Sequence, residues 1–82
     1  MRIEELKQYI QRDVIRRSDI AIDADTPLVS SGLVDSFALI DVLMKLEDLT
    51  NRDIPAGKVR PEDLDTITSM LAVAARLGRE RP

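Results

Sequence analysis

Leu39, Val42, Leu43, Leu46 and Leu49 recur at three- and four-residue steps, a spacing that commits the stretch from Ser36 to about Leu49 to a helix with a continuous aliphatic face. Ile3, Leu6, Ile10 and Val14 repeat the pattern with charged residues between them, which predicts a first helix from about Ile3 to Arg17. Arg16 and Arg17 in its last turn suit the negative end of a helix dipole. A short element is expected from Pro61 to Leu64, since proline fits the first helical position. A last helix is expected from Thr66 to Leu77, stopped by Gly78. No segment alternates apolar and polar residues with a period of two, and no βαβ pattern appears. The predicted class is all-α, with three main helices and a short one around a single core, and residues 1–82 are expected to form one domain.

Between the first two helices lies a stretch, Ser18 to Val34, whose composition points two ways. It holds five Ser, Asp and Pro residues before Leu28, yet also Ile20, Ile22, Leu28, Val29 and Leu33. A flexible tether has no use for those side chains, so the reading is a long ordered loop pinned to the core.

Composition excludes several kinds of chemistry. The chain has no cysteine, hence no disulfide framework, thiolate metal site or thiol nucleophile, and no histidine, the usual general base and commonest metal ligand. No pair of titratable residues with acid–base spacing can be placed on one face, so neither an enzyme nor a metal protein is expected. The segment Met1 to Lys7 is charged and lacks an apolar signal region, and no stretch approaches the roughly 18 apolar residues of a membrane span; a soluble cytoplasmic protein, away from membranes, is the expectation. Nucleic acid is disfavoured too, because Arg12, Arg16 and Arg17 are interspersed with apolar positions and Tyr9 and Phe37 are the only aromatics.

The formal net charge of −3 is divided unevenly along the chain. From Asp19 to Asp53 lie eight acids against Lys45 and Arg52, a net of −6, and the remaining ten bases and seven acids give +3. The acidic middle either meets basic partners or simply solvates a surface. On the second helix, Phe37, Ile40 and Met44 make another apolar stripe beside Asp41 and Asp48. That stripe is either packed under the long loop or left exposed as a partner surface, where a flexible Met and a lone Phe rimmed by acids would suit a basic-rimmed groove.

Ser36, preceded by Asp35 as N-cap, stands on the first turn of this helix, where amide groups and the helix dipole favour an added phosphate ester; Gly32 lets the approaching backbone bend. Taken alone, Asp-Ser is an ordinary helix start. Its setting is more specific. Gly32-Leu33-Val34-Asp35-Ser36-Phe37 resembles the Gly-x-Asp-Ser-Leu attachment motif of acyl and peptidyl carrier proteins. Thr26-Pro27-Leu28 upstream, the helix from Ile40 to Glu47, then Ile54-Pro55 and Leu64-Asp65-Thr66-Ile67 extend the resemblance over nearly the whole chain.

The resemblance implies a four-helix carrier bundle whose Ser36 takes 4′-phosphopantetheine from coenzyme A through a magnesium-dependent phosphopantetheinyl transferase, with Asp35 helping to present the serine. The arm's thiol would then carry an acyl or aminoacyl group as a thioester between biosynthetic enzymes. Partners implied are that transferase, a loading ligase or transferase, and a downstream synthase or transferase, all meeting a monomeric carrier. The family's recognition surface maps onto Phe37, Ile40, Asp41, Met44, Glu47 and Asp48. Phe37 in place of the usual Leu, Ala38 where fatty-acid carriers often have an acid, and Lys45 within the acidic face depart from housekeeping carriers. The Gly-Gly-His/Asp-Ser pattern of modular peptidyl carriers is also absent. Gly-Leu-Val-Asp-Ser is instead similar to freestanding carriers, such as D-alanyl carriers and discrete carriers of secondary metabolism. An unmodified helical adaptor using the same stripe remains the alternative of a different class.

Overall fold

The structure is a computed structural model and describes residues 3–17 and 19–80; Met1, Arg2 and Ser18, at which the charged N-terminus and the long loop were expected to begin, lie outside them. Helix α1 runs Ile3–Tyr9 and continues as a π-helix over Ile10–Ile15. Helix α2 spans Ala38–Thr50, strand β1 Arg52–Asp53, 3-10 turns Ala56–Lys58 and Pro61–Leu64, helix α3 Ile67–Leu77 and strand β2 Arg79–Glu80. This is the expected all-α bundle, with a two-residue β-bridge added.

The first helix ends before the predicted Arg17. Its last six residues widen to i→i+5 bonding, and the Arg16 N–H closes the final turn on the Gln11 carbonyl at 3.0 Å with Arg16 in the left-handed region at φ 60°. The wider turn lets both Val14 and Ile15 pack against the core, where an α-helix would favour Val14 alone. Leu6 and Ile10 are its fully buried residues.

The core joins these to Leu39, Val42, Leu43 and Leu46 of α2 and to Ile67, Met70, Val73 and Ala74 of α3. The 19–34 segment contributes Ile22, Leu28 and Val34, and Ile54 and Leu64 close the far side. Helix α3 carries a reciprocal cap: Thr66 Oγ1 accepts the Ser69 N–H at 3.0 Å and Ser69 Oγ accepts the Thr66 N–H at 3.1 Å. At its other end Gly78 is extended, with φ −69°, so glycine is not there for a left-handed turn. A Cβ at that position would strike the Ala74 carbonyl oxygen and the Arg52 side chain.

That close approach brings β2 onto β1. Arg52 pairs with Glu80 and Asp53 with Arg79, setting opposite charges across the bridge. Two residues are too few to write a period-2 pattern into a sequence, and the bridge was not anticipated for that reason.

Candidate functional site

The long loop is ordered, and its order comes from the start of α3. Asp65 Oδ1 accepts the N–H groups of Leu28, Val29 and Ser30 at 3.1, 2.8 and 2.9 Å, and Oδ2 accepts the Ser30 hydroxyl at 2.9 Å. The Asp65 carbonyl also takes the Leu28 N–H at 2.7 Å. Nearby, the Ala24 carbonyl accepts the Thr68 N–H at 3.0 Å, and the Thr68 hydroxyl donates to Ala24 and Asp25. The Ser30 N–H first, then the Ser30 hydroxyl and the Val29 and Leu28 N–H groups, hold the Asp65 carboxyl below the usual carboxylate range against the opposing pull of desolvation. Residue type alone did not single out Asp65 for this role; it entered the sequence reading only as part of the Leu64-Asp65-Thr66-Ile67 match.

From this anchor the chain turns toward α2. The Gly32 N–H donates to the Val29 carbonyl at 3.0 Å and Gly32 adopts φ +83°, a left-handed conformation that glycine reaches without strain. The Val34 N–H then donates to the Leu28 carbonyl at 2.9 Å, and the buried Val34 side chain fixes where the next residues emerge.

Asp35 is the side-chain cap of α2: its Oδ1 accepts the Ala38 N–H at 2.8 Å. Regular α-helical bonding starts at Ala38 rather than at the predicted Ser36, although Phe37 already has helical dihedrals (φ −70°, ψ −39°). Ser36 therefore sits in the entry turn between cap and helix. It is exposed, and its hydroxyl makes no hydrogen bond among the described residues. A phosphate ester fits this position, since a free hydroxyl faces water at the positive end of a 13-residue helix.

The second apolar stripe is left in solvent. Phe37, Ile40 and Met44 are 85%, 65% and 58% exposed, so none of them is covered by the loop. Asp41 and Asp48 are exposed beside them. Glu47 is turned differently: its Oε2 accepts the Ile54 N–H at 2.8 Å, tying the end of α2 to the chain after β1. Helix α2 stops at Asn51, which takes the left-handed C-terminal position at φ 55° and donates to the Glu47 carbonyl.

Lys45, the basic residue in this acidic stretch, lies over Tyr9 at the end of α1, with Nζ 5.4 Å from the ring centroid. A cation–π contact of this kind contributes about 0.5–1 kcal/mol at a partly exposed site, against about 0.3–0.5 for an exposed ion pair across one helical turn. The ring is thus the stronger attraction. Burial pushes the Tyr9 phenol up, and the charges of Asp41 and then Asp13 push it further.

Beside α2 a shallow apolar groove of about 150 Å³ is lined by Leu39, Leu43, Val59 and Leu64, with Arg60 its one charged residue. The sequence reading missed it, because Val59 and Leu64 reach Leu39 and Leu43 only through the tertiary fold. Among the described residues no cluster of acids could hold a metal ion, and no helix is long and apolar enough to cross a membrane.

An exposed serine at a capped helix start, on a small helical bundle, is an arrangement suited to covalent modification. Residues 4–77 match the family described as phosphopantetheine attachment site, and the chain belongs to that family. Its members carry covalently attached 4′-phosphopantetheine and generally act as non-catalytic carriers that meet phosphopantetheinyl transferases and acylating enzymes. No curated protein and no solved structure matches the chain.

Proposed function

We propose that this chain is a freestanding carrier without catalytic activity of its own, holding an acyl group as a thioester on a 4′-phosphopantetheine arm at Ser36 and passing it between cytoplasmic enzymes of secondary metabolism. The observation that carries the reading is the exposed, unbonded Ser36 hydroxyl on the entry turn of α2, following a carboxylate already committed as the helix cap. In loading, Ser36 Oγ bonds to the pantetheine-side phosphorus of coenzyme A, adenosine bisphosphate leaves, and the hydroxyl proton passes to a base of the transferase. Once attached, the arm's terminal thiol supplies the acyl-transfer chemistry that the side chains lack.

The freestanding assignment rests on Gly32-Leu33-Val34-Asp35-Ser36 and its likeness to discrete carriers. The choice of an acyl over an aminoacyl or D-alanyl cargo rests on the groove beside α2, whose lining is apolar and offers no carboxylate to pair an ammonium group. The exposed Phe37, Ile40 and Met44, with Asp41 and Asp48, form the docking face. Glu47 supports it from behind through Ile54.

Intact-mass measurement after incubation with a broad-specificity phosphopantetheinyl transferase and coenzyme A tests the reading. One phosphopantetheinyl group is expected on the wild-type chain and none on Ser36→Ala. An unmodified wild-type chain would leave the helical adaptor as the better account.

A further inference from the structure

The docking face contains a positive charge whose position is set from another helix. Lys45 follows Asp41 by four residues on α2, a spacing at which an ammonium ordinarily reaches back to a carboxylate. Here it does not: Lys45 Nζ lies over the Tyr9 ring at 5.4 Å, and no ion pair joins it to Asp41. The Asp41 carboxylate is left on the exposed side, one residue from Ile40 and three from Met44. Its field still reaches Tyr9, whose phenol it helps push up. A cation arriving at Asp41 would therefore meet a carboxylate with no ion pair among the described residues, beside apolar side chains that exclude water on contact, where a charged hydrogen bond is strongest.

Resting on the carrier reading above, we propose that Tyr9 is a specificity-determining residue of the docking face: by holding Lys45 over its ring it keeps Lys45 off Asp41 and leaves that carboxylate to a basic side chain of a partner enzyme. The partner this fits presents an arginine or lysine next to an apolar recess that takes Ile40 and Met44. A substitution on α1, outside the helix that is docked, then controls the charge pattern that the partner reads.

Stopped-flow association with purified phosphopantetheinyl transferase at low ionic strength tests this, using Tyr9→Leu, Tyr9→Phe, Lys45→Ala and the double variant Tyr9→Leu/Lys45→Ala. Tyr9→Leu frees Lys45 to pair with Asp41 and is expected to slow association about threefold, because the net charge is unchanged but the partner's basic side chain must displace Lys45 from the carboxylate. Tyr9→Phe keeps the ring and should match wild type. In the Lys45→Ala background, Tyr9→Leu should have no further effect. An equal slowing in both backgrounds would make Tyr9 a packing residue and overturn the proposal. So would a wild-type rate for Tyr9→Leu alone. Should Tyr9→Leu fail to fold, the wild-type chain still decides: the Lys45 side-chain methylene protons must show an upfield ring-current shift, and its absence overturns the proposal. If the wild-type chain takes up no label at Ser36, the carrier reading itself fails; labelling that proceeds at rates indifferent to Tyr9 removes only the docking inference.

Discussion

The Asp65 carboxylate grips Ser30 at both ends, with Oδ1 accepting its backbone N–H and Oδ2 its hydroxyl, each at 2.9 Å. Thirty-five residues separate the two in sequence, and the contact fastens the loop that leads to Ser36 onto the start of α3. The turn that carries Ser36 is approached by a segment held in place from a distant part of the chain.

Because that grip depends on the ionised carboxylate, it should be visible in acid. The folded-state pKa of Asp65 lies below the unfolded value, so its stabilisation is fully present above the unfolded value of about 3.9 and is lost as pH falls through the folded value. Asp65→Asn should lower the melting temperature at neutral pH, and the gap from wild type should narrow and close as pH falls below the unfolded value and through the folded one. Thermal melts at several pH values check this, and a gap of constant size would show that the contact does not act through charge.

Leu46 is fully buried on the core face of α2. Leu46→Ala should cost about 2–5 kcal/mol, enough to threaten a domain of this size. Urea denaturation showing a loss under about 1 kcal/mol would mean that neighbouring side chains collapse into the space more completely than other small cores allow.

Two substitutions separate the role of the cap from that of the Ser36 hydroxyl. Ser36→Ala should abolish labelling and leave helicity and melting temperature close to wild type, because the hydroxyl takes part in no hydrogen bond among the described residues. Asp35→Ala removes the acceptor for the Ala38 N–H and should cost about 1 kcal/mol of stability. Label found on Ser30 or Ser31 by peptide mapping would refute the assignment to Ser36.

Gly32 and Gly78 should respond to alanine for different reasons. At Gly32 nothing lies within 4 Å of an added Cβ, so only the strain of φ +83° opposes it, about 1–2 kcal/mol. At Gly78 the methyl would meet the Ala74 carbonyl oxygen and the Arg52 side chain, and the backbone must move. Gly78→Ala is therefore expected to be the more destabilising of the two and to loosen the Arg52–Glu80 bridge, with hydrogen exchange at residues 52 and 80 as the readout.

Charge and apolar contact on α2 should divide between arrival and residence. Reversing Asp41 and Asp48 to Lys should slow association with the transferase and flatten its salt dependence. Met44→Ala should mainly speed dissociation, since it removes exposed apolar area without altering the field. Association rates that ignore both salt and the reversals would reduce the acidic residues to solvation.

Much of this molecule is decided by local chemistry that a sequence displays. The three main helices follow from aliphatic residues at helical spacing, the starts of α2 and α3 from Asp35 and Thr66, and the start of the short 3-10 turn from Pro61, because a cap or a fixed φ acts on its own few neighbours. Ser36 was legible in the same way, as a hydroxyl at a capped helix start within a recognisable motif. What lay beyond reach depends on partners distant in the chain. That Phe37, Ile40 and Met44 stay in solvent follows from where the long loop goes, and the loop goes where Asp65 holds it. That Lys45 abandons Asp41 for Tyr9 requires α1 to lie beside α2, that Glu47 serves Ile54 requires the chain to turn back after β1, and that Gly78 must be glycine requires Arg52 alongside. Spacing along a helix tells which side chains share a face, but only the packed chain decides which face is covered and which charge is left unpaired.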